Sequence, residues 1–140
     1  MQEVNDVINV AHAIQQSVAP VFLLTGVGAI LNVLSSRLAR VIDRFRVLDL
    51  ASDSERIAYE VEISVLLKRS RWIHWAISLS TICALLICIV IAALFIGSEL
   101  NKDPSATIAT FFIGAMLAMT LGLLCFLREI SLATGPIRHR

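Results

Sequence analysis

Arg37, Arg40, Asp43, Arg44 and Arg46 crowd into one ten-residue stretch, and guanidinium forks at that density suit phosphates and carboxylates. They can anchor lipid phosphates and form partly exposed salt bridges, or, repeated around an axis, they can set an ion vestibule. A second set, Thr25, Gly28, Asn32 and Ser35, falls with Ser36 within about 100° of a helical wheel. Such a polar, small face can line a water-filled path or bond a neighbouring helix, because a buried amide is costly without a partner.

Other reactive residue types carry less. Cys83, Cys88 and Cys125 lie in apolar runs without metal-ligand or C-x-x-C spacing, so they read as small buried side chains. His74 sits between Trp72 and Trp75, a setting for a solvated side chain at headgroup level. Met116 and Met119 fill packing gaps rather than bind metal. The chain shows no nucleophile–base pair, Gly-rich phosphate loop or paired intramembrane carboxylates, so no enzyme, cofactor or metal site is expected. The apolar runs contain no acid, which also argues against a proton-coupled transporter.

The elements that must position these residues are membrane helices. Of the 140 residues, 57% are hydrophobic, more than one soluble core hides. Residues 7–36, 72–98 and 104–127 contain no Asp, Glu, Lys or Arg, and each exceeds the roughly 20 residues that cross a hydrocarbon layer as a helix. Barrel strands would alternate apolar and polar residues, whereas residues 82–96 are almost continuously apolar. The net charge of +1 gives no basic bulk for nucleic acid. The fold class expected is an all-α membrane protein, with three transmembrane helices and a cytoplasmic helical hairpin extending spans one and two.

Residues 1–19 place Val4, Val7, Ile8, Ala11, Ile14 and Val18 at helical spacing, an external amphipathic segment. Glu3 and Asp6 occupy the place where a signal peptide would carry bases, so the N-terminus is expected to be retained. Pro20 suits a first helical turn or a kink, and a bend at Ala19–Pro20 is expected. The first span is residues 20–36. With no turn residue after Ser36, its helix should run out of the membrane to about Leu50.

Residues 37–71 form the hairpin. Leu38, Val41, Ile42, Phe45 and Leu48 make a stripe that needs a partner helix, supplied by residues 54–71 after a turn at 51–54. Ser52 and Glu55 have capping-box spacing. Antiparallel pairing brings Arg44 and Arg46 opposite Glu60 and Glu62, and Arg37 near Lys68. Bases gather at the membrane end and acids at the tip. Ile57, Val61, Ile63, Val65, Leu66 and Leu67 exceed what one partner covers, which points to further contacts.

The second span, residues 72–97, carries Ala76, Ser80, Ala84, Cys88 and Ala92 four apart; the third, residues 107–127, carries Thr110, Gly114, Ala118 and Gly122. Such ladders let helices approach closely. Residues 98–106 are a short external loop with a turn at 103–105, and residues 128–140 are a basic cytoplasmic tail. Bases number none before the first span, eight in the hairpin, one in the short loop and three in the tail. The positive-inside rule therefore places hairpin and C-terminus in the cytoplasm and the N-terminus outside, in the cytoplasmic (inner) membrane.

The R-L-x-R-x-x-D-R-x-R pattern at Arg37 to Arg46, the I-Q-Q-S-V-A-P-V-F-L-L run from Ile14 to Leu24, and Arg128, Glu129 and Ile130 after the last span carry a resemblance. On these residues the chain resembles a bacterial membrane family catalogued as domain of unknown function 2721, over nearly its whole length. The resemblance implies three spans and no particular activity, substrate or cofactor.

The partners expected are the lipid membrane, further copies of this chain, and a membrane or cytosolic protein. Function is expected to be a homo-oligomeric ion-conducting pore lined by the first span. The alternative is a non-catalytic scaffold or accessory subunit docking a partner through the hairpin.

Overall fold

The computed structural model describes residues 1–50, 53–100 and 104–134, with the side chains of residues 53–56 and 58 excepted. Three helices make up the described chain: α1 (Gln2–Asp49), α2 (Asp53–Leu100) and α3 (Ser105–Thr134). Each is long and apolar enough to cross a membrane. At a rise of about 1.5 Å per residue, α1 and α2 are some 70 Å long, more than twice a hydrocarbon layer. The excess is the hairpin: α1 runs without a break from the apolar run through Arg37 to Asp49, and α2 returns alongside it.

Two local expectations meet the structure differently. Pro20 lies inside α1 rather than at a helix start, so residues 2–19 and the first apolar run form one helix. The missing N–H of Pro20 removes one backbone bond to the Gln16 carbonyl, a loss that a 48-residue helix absorbs. The capping box of Ser52 and Glu55, the turn at 51–54 and the tail beyond residue 134 fall outside the described residues or side chains.

The core is a seam with a seven-residue repeat. On α1 the buried residues Ala13, Pro20, Val27, Leu34, Val41 and Leu48 recur every seventh position. On α2, Leu66, Ile73, Ser80 and Ile87 form one such row, and Ala76, Cys83 and Val90 a second. On α3 the seam is Ala115, Ala118, Gly122 and Glu129. Alternating steps of three and four residues keep a stripe facing its partner along a left-handed supercoil.

This seam replaces the four-residue ladders. An i+4 row drifts by about 40° per step, so Ala76 and Ser80 are buried while Cys88 and Ala92 turn outward. On α3, Ala118 and Gly122 are buried and Thr110 is exposed. Close approach is greatest at Gly122, where a Cβ would meet Ser80 Oγ at 3.3 Å, Leu79 Cβ at 3.4 Å and the Ala76 carbonyl oxygen at 3.5 Å.

The helix α2 lies between its neighbours, packed against both. One apolar cluster joins Leu34, Val41 and Leu48 of α1 to Leu66, Ile73 and Ala76 of α2. A second joins Val27 to Cys83, Ile87, Ala115 and Ala118.

Candidate functional site at the base of the hairpin

At the level where the hairpin leaves the three-helix bundle, the seam turns from apolar to charged. Glu129 occupies the row of Ala115 and Gly122 and is 0% exposed. Arg69 lies seven residues before Ala76, on the same row of α2. Arg37 lies three residues after Leu34 on α1. The repeat that packs the helices thus brings one charged residue from each into the interior.

The contacts are close. Arg37 Nη1 donates to Glu129 Oε2 at 2.7 Å, while Arg69 donates to Oε1 through Nε at 3.1 Å and Nη2 at 2.8 Å. The Arg37 guanidinium also lies 5.2 Å from the ring centroid of Phe126, within cation–π range. Both oxygens of the buried carboxylate are satisfied, as a buried charge requires. The two arginine side chains keep 33% and 24% of their surface exposed. Together the three residues carry one negative and two positive charges, so the cluster is net positive.

Sequence reasoning missed this centre. It placed Arg37 near Lys68 at the membrane end of the hairpin; the structure joins Arg37 to the next residue, Arg69, through Glu129. The overlooked signal was the repeat itself: extending the Ala115 and Gly122 row by one step lands on Glu129. Within the hairpin, Arg44 Nε donates to Glu62 Oε1 at 2.8 Å, a pairing that antiparallel packing predicts. No ion pair joins Arg46 to Glu60 among the described residues; Arg40, Asp43, Arg46 and Glu60 are all exposed.

The Glu62 hydrogen bond, and then its charge, hold the Arg44 guanidinium above its ordinary value. A raised cation contributes fully below its ordinary value and is lost only as pH rises through the raised one, so Arg44 does not titrate near neutrality. Both partners are about half exposed, at 50% and 40%, and solvent weakens such pairs. Arg44→Gln should therefore shift the melting temperature least among substitutions of the paired arginines, as thermal unfolding in mild detergent would read.

The polar set of the first apolar run faces the other way. Thr25, Gly28, Asn32 and Ser35 are all exposed, opposite the Val27 and Leu34 seam. Thr25 Oγ1 donates to the Val21 carbonyl at 3.2 Å and Ser36 Oγ to the Asn32 carbonyl at 3.0 Å, so these hydroxyls are satisfied within their own helix. The Asn32 side chain has no hydrogen-bond partner among the described residues. A Cβ at Gly28 would meet nothing within 4 Å.

At the opposite end of the bundle a cleft of about 430 Å³ opens between α1, the end of α2 and the start of α3, lined by polar groups including Asn9, His12, Gln16 and Ser105. His12 Nε2 and Gln16 Nε2 lie 3.0 Å apart within it. Cys83, Cys88 and Cys125 are unpaired.

Comparison with curated proteins and with solved structures finds no match. Residues 17–139 match the family model described as Protein of unknown function (DUF2721), a span that contains α3, the charged cluster and all but the first turns of α1. The chain therefore belongs to the DUF2721 family.

Proposed function

We propose that this protein is a non-catalytic, homo-oligomeric membrane protein whose α1 helices surround an ion-conducting path, with Thr25, Gly28, Asn32 and Ser35 facing the axis. The observation that carries this reading is the outward-facing, unpartnered amide of Asn32. It stands five residues before Arg37, about 7 Å inside the apolar run. An amide there, facing hydrocarbon, would cost about 4 kcal/mol or more. Packing α1 against further copies, with the amide turned to water or to its symmetry mates, removes that cost. Gly28, one turn earlier and open on the protomer, lets the backbones come close.

By the positive-inside rule the hairpins project into the cytoplasm around the mouth of the path. Purified protein reconstituted in liposomes should conduct ions, and Asn32→Leu should change the conductance at least severalfold while the protomer still folds. A chain that stays monomeric in lipid discs and shows no flux over a range of voltages and salts would overturn the proposal.

A second reading has its own support. Val47, Leu50, Ile57 and Val61 on the protruding hairpin are 61–88% exposed, the kind of apolar surface that docks a protein partner. As a scaffold or accessory subunit, the protein would lose assembly rather than conductance on Asn32→Leu.

A further inference from the structure

We propose that the outer edges of Arg37 and Arg69, with Arg40, form a binding site for the phosphate of an anionic phospholipid. A charge imbalance underlies it: two guanidinium groups share one carboxylate, and that carboxylate is wholly buried, with both oxygens engaged by their three N–H bonds. Arg37 engages Glu129 through Nη1 alone, and Arg69 through Nε and Nη2. Nε and Nη2 of Arg37 and Nη1 of Arg69 have no hydrogen-bond partner among the described residues.

Glu129 thus holds the two groups side by side and leaves one positive charge without a counter-charge. Such a fixed pair is pre-organised for a tetrahedral oxyanion, since a guanidinium presents its donors in a plane that matches phosphate oxygens. Arg40, exposed and three residues along α1 from Arg37, lies over the same turn of the helix.

Depth identifies the source of the phosphate. The charge-free run of α1 ends one residue before Arg37, that of α3 two residues before Glu129, and that of α2 begins three residues after Arg69. Three chain segments place the cluster at one boundary, with Trp72 and Trp75 three and six residues after Arg69 on α2, where headgroup phosphates lie. A net positive centre in that layer needs an anion, and the lipid phosphodiester is the one present at high local concentration. This inference is independent of whether α1 lines a pore.

The test uses the full chain in phosphatidylcholine nanodiscs, titrated with phosphatidylglycerol and read by thermal unfolding, with bound lipid counted by native mass spectrometry. Phosphatidylglycerol should raise the melting temperature and leave retained adducts. Arg40→Gln should weaken that binding about fivefold, the share of one near-surface base. Arg46→Gln removes the same charge about 9 Å farther along α1 and should leave binding unchanged. Equal losses in the two variants would mean diffuse surface charge and would overturn the site. So would an equal stabilisation by inorganic phosphate, which would assign it to a soluble ligand, or no selectivity over phosphatidylcholine. Both substituted residues are exposed and lie outside the ion pairs of Glu129 and Glu62, so the variants should fold.

Discussion

Glu129→Gln is expected to cost about 3 kcal/mol of stability, the low end for breaking a buried ion pair, because its arginine partners keep some contact with water. The side chain retains its shape and one good acceptor, so the loss is electrostatic rather than a cavity. Two guanidinium groups would then face each other across a neutral amide. The carboxylate is the only negative charge in the cluster and joins all three helices, so its loss weakens α3 against both neighbours. Thermal or denaturant unfolding in mild detergent measures this. Arg37→Gln should cost less, and Arg37→Gln placed on Glu129→Gln should cost less than on the wild type, since removing one cation relieves the repulsion. Such non-additivity is the mark of groups acting as a unit. A Glu129→Gln loss below about 0.5 kcal/mol, the level of an exposed pair, would mean that the cluster does not hold the bundle together.

What the sequence made visible follows from how local each signal is. Three charge-free runs are long and continuous, so the number and type of helices could be read directly, and the lack of any breaker between Ser36 and Asp49 foretold the extension of α1. The Arg44 and Glu62 pairing was within reach because an antiparallel hairpin with a short turn fixes which positions face one another. The triad was not, because Arg37 and Glu129 are 92 positions apart and meet only when three helices settle into one register.

Reading small residues four apart as the packing face also hid the triad. That row drifts around the helix, while the true seam alternates steps of three and four and carries Arg69 and Glu129 inward. Pro20 left two options open, a helix start or a kink in a continuous helix, and the continuous pattern of apolar residues on either side excludes the first. The charge-free runs end at a definite position on each helix, but only the register shows that the three ends coincide at one carboxylate.

Gly122→Leu and Gly28→Leu should separate packing inside the protomer from packing between copies. At Gly122 even a methyl group would sit 3.3–3.5 Å from Ser80 Oγ, Leu79 Cβ and the Ala76 carbonyl oxygen. Two of these belong to or adjoin the α2 backbone, so the contact relaxes only by moving α3 away from α2. A leucine adds three further carbons at that point, and overpacking should cost about 3 kcal/mol, the upper part of the usual range, because Leu79 Cβ and the Ala76 carbonyl are fixed by the α2 backbone even if the Ser80 hydroxyl rotates away. The displacement would also pull Glu129, two turns along the same row, off its arginines. Gly122→Leu should therefore lower the melting temperature sharply and make Glu129→Gln less damaging in its background. Gly28→Leu meets open space on the protomer and should leave protomer unfolding nearly unchanged. If copies of α1 pack through that face, however, the same substitution should shift the protein from oligomer to monomer in lipid discs. Oligomers that survive Gly28→Leu would mean that copies associate through another surface, and a folded, stable Gly122→Leu would mean that α2 and α3 are not held at the spacing seen here.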